Sequence, residues 1–262
     1  MEKTKLQSWI KRIVTSLVLA PSVIWCLYAG YPFIQVLALL VGALLSWEWA
    51  RMVPSVRGAT FAMIYMFTVT IAIVMGPDWP YFATLAGALA LTWLKAKGEA
   101  RRNLLVLGVA YVSIGVGSIM WLYELVGFAV TLWFMIVVWS VDIGGLLIGT
   151  TLRGPKLAPK ISPNKTWSGL FGGMLFSVIF GNLFCWFVGA GAHLGYYGTL
   201  AAILAVVSQI GDLVESHIKR SLNLKDSSDL IPGHGGIFDR IDGMIFAAPL
   251  VYILFRYVLY IL

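Results

Sequence analysis

Nine mostly apolar runs follow one another along this 262-residue chain, and a bilayer is the environment that accommodates them. They lie at 13–30, 33–50, 60–76, 80–94, 103–123, 126–150, 169–192, 196–213 and 243–262, the fourth being the shortest. A helix needs roughly 20 apolar residues to cross the hydrocarbon core, and internal Gly or Pro is tolerated there. The composition agrees: 60% of residues are hydrophobic and only 12% charged, where soluble domains carry about 25% charge. Too few polar side chains remain to cover a water-exposed surface. Intrinsic disorder and a soluble nucleic-acid-binding protein are excluded on the same ground, and no nucleic acid is expected as a partner. The expected fold is all-α: a polytopic integral membrane protein with about nine transmembrane helices.

The basic residues test that count. With nine crossings, all but Arg256 of the 19 Lys and Arg residues fall on one face. They flank the first run (Lys3, Lys5, Lys11, Arg12) and follow the second (Arg51, Arg57) and the fourth (Lys95, Lys97, Arg101, Arg102). Others follow the sixth run (Arg153, Lys156, Lys160, Lys165) and the eighth (Lys219, Arg220, Lys225, Arg240). Basic loops stay in the cytoplasm, so this face and the amino terminus are expected inside. Arg256 reaches the far interface by extending its side chain. The basic start followed by an apolar run reads as an uncleaved first membrane helix. Cys26 and Cys185 both lie in apolar runs, which points to neither a disulfide nor a cysteine metal site.

Six of the 12 acidic residues, Asp212, Glu215, Asp226, Asp229, Asp239 and Asp242, crowd the segment joining the eighth and ninth runs. Helical residues three or four apart share a face. Ser208, Asp212, Glu215 and Lys219 therefore form one stripe, and Asp239 and Asp242 another. Two hairpin-linked helices would bring these carboxylates together, and a hard divalent cation relieves the resulting repulsion. The alternative is a set of loop charges paired with Lys219, Arg220, Lys225 and Arg240. Asp212 sits at the edge of an apolar run, where a mid-membrane Asp costs about 2.5–3.5 kcal/mol. The same segment carries Pro232-Gly233-His234-Gly235-Gly236, which suits either a structural turn or a phosphate cradle of backbone amides.

A second polar intrusion, Ser140 and Asp142, interrupts the sixth run, and an ionisable group inside a span is a candidate functional residue. The basic, proline-stiffened loop from Arg153 to Trp167 follows, able to meet acidic headgroups or a nucleotide triphosphate. Ser162 and Thr166 add hydroxyls there. Glu48, near the end of the second run, reads as structural or interfacial.

The pattern Ser216-x-x-Lys219-Arg220, Lys225-Asp226 and Pro232-Gly233-His234-Gly235-Gly236-x-x-Asp239-Arg240-x-Asp242 resembles the signature of the phosphatidate cytidylyltransferases, the CDP-diacylglycerol synthases. Ser162-Pro163-x-Lys165-Thr166-Trp167 and Asp142 are similar to further elements of that family. The resemblance covers about Val138 to Asp242, and the amino-terminal half matches only as membrane spans. It divides the chain into a transmembrane scaffold, 1–130, and a catalytic half, 131–262, with cytoplasmic loops at 151–168 and 215–242. It implies the reaction CTP + phosphatidate → CDP-diacylglycerol + pyrophosphate, a Mg²⁺ cofactor with room for a second cation, and a homodimer. It also implies a bacterial inner membrane, with the active site facing the cytoplasm.

On that resemblance Asp212, Asp239 and Asp242 are expected as metal ligands, with Asp142 and Asp226 as further candidates. Lys165, Lys219, Arg220, Lys225 and Arg240 would bind CTP or lipid phosphates, Lys219 and Arg220 acting with the three aspartates in catalysis. His234, Gly235 and Gly236 would lie against the nucleotide phosphates, and Ser162 and Thr166 would position either substrate. Two rivals remain at this level. A CTP-dependent lipid-alcohol kinase would release CDP, and a transporter would use Asp142 and Asp212 for coupling ions. A transporter is disfavoured by the absence of an internal repeat.

Overall fold

The computed structural model describes residues 2–231 and 235–258. Eight helices carry the chain: α1 (Glu2–Ala29), α2 (Phe33–Met52), α3 (Gly58–Met75), α4 (Trp79–Lys95), α5 (Arg102–Leu152), α6 (Trp167–Phe187), α7 (Leu194–Ser221) and α8 (Phe238–Ile253). A π-helical turn, Leu254–Val258, extends α8, and a short antiparallel hairpin of β1 (Lys156–Ala158) and β2 (Ser162–Thr166) joins α5 to α6. Each of the nine apolar runs lies largely on a helix, and α5 carries two of them. At 1.5 Å per residue its 51 residues amount to about 77 Å of helix in total, enough for two crossings of the hydrocarbon. Gly127, at φ 74° and ψ −167°, breaks it between the two runs.

Among the described residues six helices are long and apolar enough to cross a membrane: α2, α3, α5, α6, α7 and α8 with its π turn. The outward face of α6 shows what solvates them. Phe171, Leu175, Ile179 and Leu183 recur every four residues and are all exposed. A continuous apolar stripe of this kind is stable against lipid and not against water. The protein is an integral membrane protein.

The chain forms two compact units that interleave in sequence. One comprises Met1–Trp121 and Leu222–Ile241, the other Leu122–Ser221 and Asp242–Leu262. In the first, α2, α3 and α4 pack in sequence around buried aromatics whose polar tips bond helix carbonyls. Tyr65 donates to Leu105 O at 2.7 Å, Trp121 to Ala72 O at 2.7 Å and Trp49 to Leu104 O at 3.0 Å. An aromatic residue thus contributes apolar area without leaving a dry donor.

In the second unit α6 packs on α7 and on the second half of α5. A side chain at Gly144 of α5 would lie 2.6 Å from Gly172 O and from Phe176 Cβ. Only glycine permits this crossing, the small-residue contact typical of membrane helices. The same device joins α7 to α8. A Cβ at Gly211 would collide with Phe246, and one at Gly243 with Ser208.

Candidate active site

The α7–α8 crossing determines which carboxylates meet. Asp212 and Glu215 lie on α7 beside Gly211, and Asp242 on α8 beside Gly243. Asp212, Glu215 and, from α5, Asp142 all act electrostatically on Asp242, whose Oδ1 accepts the Gly243 amide at 2.8 Å. The stripe read from the sequence is present. Lys219 pairs with Glu215 at 2.5 Å, one turn apart and both buried, while Ser208 is buried at the crossing. Ser216 Oγ donates to Asp212 Oδ1 at 3.3 Å, and Lys165 forms an ion pair with Asp212 Oδ2.

Lys165 reaches Asp212 because of the hairpin. Arg153, at φ 55°, and Gly154, at φ 115°, end α5 in the left-handed region. The strands then return the chain to α6, with the Trp167 amide bonding Pro155 O. Thr166 caps α6: its Oγ1 accepts the Gly169 amide at 3.1 Å, so this hydroxyl is a helix cap as well as a wall of the site. Asp142, Asp212, Lys165, Thr166, Arg153, Lys156, Asn164 and Gln209 line one cleft of about 730 Å³, together with Val141 and Leu146. Cations, carboxylates and apolar side chains share its walls, which suits a phosphorylated amphiphile. Ser162 begins β2 and is half-buried.

In the other unit, the segment after α7 is organised by two carboxylates. Asp239 accepts the Ser227 amide at 2.9 Å, the Ser227 hydroxyl at 3.1 Å and the Gly236 amide at 2.8 Å. Glu48, fully buried on α2, accepts the Ile237 amide at 2.9 Å and the Phe238 amide at 2.7 Å. It also accepts from the hydroxyls of Ser228 at 2.5 Å and Ser227 at 3.3 Å. Both glycines are dictated by this packing. Gly235 has φ +82° and a Cβ there would lie 2.6 Å from Asp239 Oδ2; one at Gly236 would lie 2.5 Å from Glu48 Oε1. Lys225, Asp226, Arg220 and Arg240 are exposed. Pro232, Gly233 and His234 lie outside the described residues.

The structure thus brings Asp142, Asp212, Asp242, Glu215, Lys165 and Lys219 together in one unit, and in the other organises Asp239, Gly235 and Gly236 around Glu48. Glu48 is the organising residue that sequence reasoning undervalued. A lone acid at the end of an apolar run, followed by Trp49, was the available signal.

Among the described residues no three His, Cys, Asp or Glu side chains converge tightly enough to enclose an ion. Mg²⁺ does not require such a cage: it is usually held by one or two carboxylates, waters and substrate phosphates. Asp212 and Glu215 are each offset by a lysine, Lys165 and Lys219, while Asp142 and Asp242 add the hard carboxylate oxygens that suit a cation of that type.

Comparison with known proteins agrees with this chemistry. The model of the Cytidylyltransferase family matches residues 10–258. A phosphatidate cytidylyltransferase of Brucella suis biovar 1 is 35% identical over 251 residues, covering 92% of this chain and 91% of the relative. Relatives of the same name from Rickettsia bellii, 38% identical over 156 residues, and Staphylococcus epidermidis, 40% identical over 151, cover 56% and 57% of this chain. They cover 67% and 57% of the respective relatives. With nearly its whole length matched, and with paired carboxylates and lysines on the helices that carry the motif, the chain belongs to the cytidylyltransferase family.

Proposed function

We propose that the protein is a phosphatidate cytidylyltransferase of a bacterial inner membrane, converting CTP and phosphatidate into CDP-diacylglycerol and pyrophosphate. The observation that carries the reading is the cleft where Asp142, Asp212 and Lys165 share walls with Val141 and Leu146. Phosphatidate brings a phosphate and two acyl chains, and each CH₂ withdrawn from lipid into water would cost about 0.8 kcal/mol. A cleft with both polar and apolar walls receives the headgroup without extracting the chains.

A phosphate oxygen of phosphatidate attacks the α-phosphorus of CTP. The new P–O bond forms as the bond to the bridging α–β oxygen breaks, and the electron pair leaves with pyrophosphate. Phosphatidate is ionised near neutral pH, so no general base is needed, and the protein's task is alignment and charge neutralisation. Lys165, anchored on Asp212, offers its ammonium to the lipid phosphate, with Arg153 and Lys156 on the same walls. Lys219 holds Glu215 in place, and Ser162 and Thr166 support the β2–α6 junction that carries Lys165. Lys225, Arg220, Arg240, Gly235, Gly236 and His234 serve the CTP phosphates. Asp142, Asp212 and Asp242 would hold Mg²⁺, which when bound screens charge on the phosphate oxygens, and Asp239 and Asp226 are the candidates for a second cation. The chain crosses nine times, with its amino terminus and reactive groups on the cytoplasmic side, and works as a homodimer.

The test uses purified protein in detergent with α-³²P-labelled CTP, phosphatidate and Mg²⁺. Label enters lipid as pyrophosphate appears, and EDTA abolishes the transfer until Mg²⁺ is restored. Label recovered only as CDP would replace this reading with a lipid kinase, and no turnover would remove the enzyme assignment.

A further inference from the structure

Glu48 is remote in sequence from every motif that carries the chemistry, yet Ser227, Ser228, Ile237 and Phe238 all bond to it. Its carboxylate is fully buried and takes two backbone amides and two serine hydroxyls from residues 179 to 190 positions downstream. A buried carboxylate is tolerated only when such donors surround it. Its mount is rigid. The adjacent Trp49 is fully buried, donates to Leu104 O, and packs its ring 5.4 Å from Phe238 and 5.5 Å from Tyr111. The Ser227 hydroxyl lies between the Glu48 and Asp239 carboxylates, at 3.3 and 3.1 Å. One hydroxyl thus spans the two carboxylates, which ties the placement of Asp239, and of the Gly236 amide it accepts, to that of Glu48.

We infer that Glu48 is a positioning residue for nucleotide binding: it clamps residues 227–228 and 236–238 in the one conformation that holds Asp239, with the flanking Lys225 and Arg240, where the CTP phosphates and their cation bind. The inference rests on the cytidylyltransferase reading. It differs from a general stabilising role in what it does to kinetics. If only a fraction of molecules hold the segment in the competent shape, apparent affinity for CTP falls by that fraction. Saturating CTP then recovers the lost rate. General instability would instead lower the amount of active enzyme and leave both KM values alone.

The experiment compares wild type with Glu48→Gln and Ser228→Ala, the second removing one clamp bond should the first fail to fold. KM for CTP and for phosphatidate is measured for each, with amide hydrogen exchange of the unliganded protein. Losing one or two charge-assisted bonds raises KM for CTP by about 10- to 100-fold in Glu48→Gln. KM for phosphatidate stays within about twofold, and exchange accelerates at Ser227, Gly236, Ile237 and Phe238 but not in α6 or α7. Unchanged KM for CTP, a parallel rise in both KM values, or unchanged exchange at those amides overturns the inference. Failure of wild type to transfer label overturns the cytidylyltransferase reading instead, and the positioning role with it.

Discussion

Replacing Gly211 by alanine probes the helix crossing that brings Asp242 within the field of Asp212 and Glu215. The added Cβ would collide with Phe246 Cβ and lie 2.9 Å from its Cγ and 3.3 Å from the Asp242 carbonyl oxygen. Carbon atoms rest about 3.5–4.0 Å apart, so the closer Phe246 Cβ forces α7 and α8 to separate by about 1–1.5 Å. Overpacking of this size costs about 1–3 kcal/mol. For a chain of this length that lowers Tm by about 2–12 °C. Misplacing reacting groups by about 1 Å also costs about 100-fold in rate, so kcat falls steeply. Gly87→Ala on α4 is the control, because nothing lies within 4 Å of its would-be Cβ. Helix propensity then favours alanine by about 0.5–1 kcal/mol and Tm rises slightly with unchanged turnover. Fluorescence-monitored melting and label transfer, both in detergent, measure the two quantities. Equal Tm shifts for the two variants, or wild-type kcat in Gly211→Ala, would refute the argument.

Lys165→Met separates catalysis from stability. A partly exposed ion pair is worth at most about 1 kcal/mol, so melting shifts little, while kcat/KM for phosphatidate falls about 100-fold by steady-state assay because the cleft loses its Asp212-anchored cation. Thr166→Ala removes the α6 cap and lowers stability by about 1 kcal/mol, seen as a melting shift of about 2–4 °C that Thr166→Ser restores.

The all-α membrane character was legible because a bilayer leaves apolar chain few alternatives: each expected run lies largely on a helix, and six of the described helices are long and apolar enough to cross. Boundaries were less so. α7 continues to Ser221, eight residues past the apolar run that ends at Leu213, because Glu215 and Lys219 extend it by an (i, i+4) ion pair. The β1–β2 hairpin lies in a segment whose sequence reads as a loop, since strands of three and five residues leave no periodicity to detect. Asp142, Asp212 and Asp242 could be nominated as polar residues in or beside apolar runs, but only the glycines at the α5–α6 and α7–α8 crossings explain how they approach. Glu48 reads from the sequence only as structural or interfacial because all its donors are distant in sequence, and no local pattern records a contact of that length.

The wide separation between Glu48 and its donors has a consequence for biogenesis. At about 5–20 residues per second of synthesis, the ribosome needs about 10–40 s after making α2 to produce Phe238. Throughout that interval the growing polypeptide carries a carboxylate whose permanent hydrogen-bond donors have not yet been translated. The end of α2 must stay hydrated until they emerge. A prematurely terminated product would keep that charge unsatisfied, a mark by which membrane proteases could tell it from the finished protein.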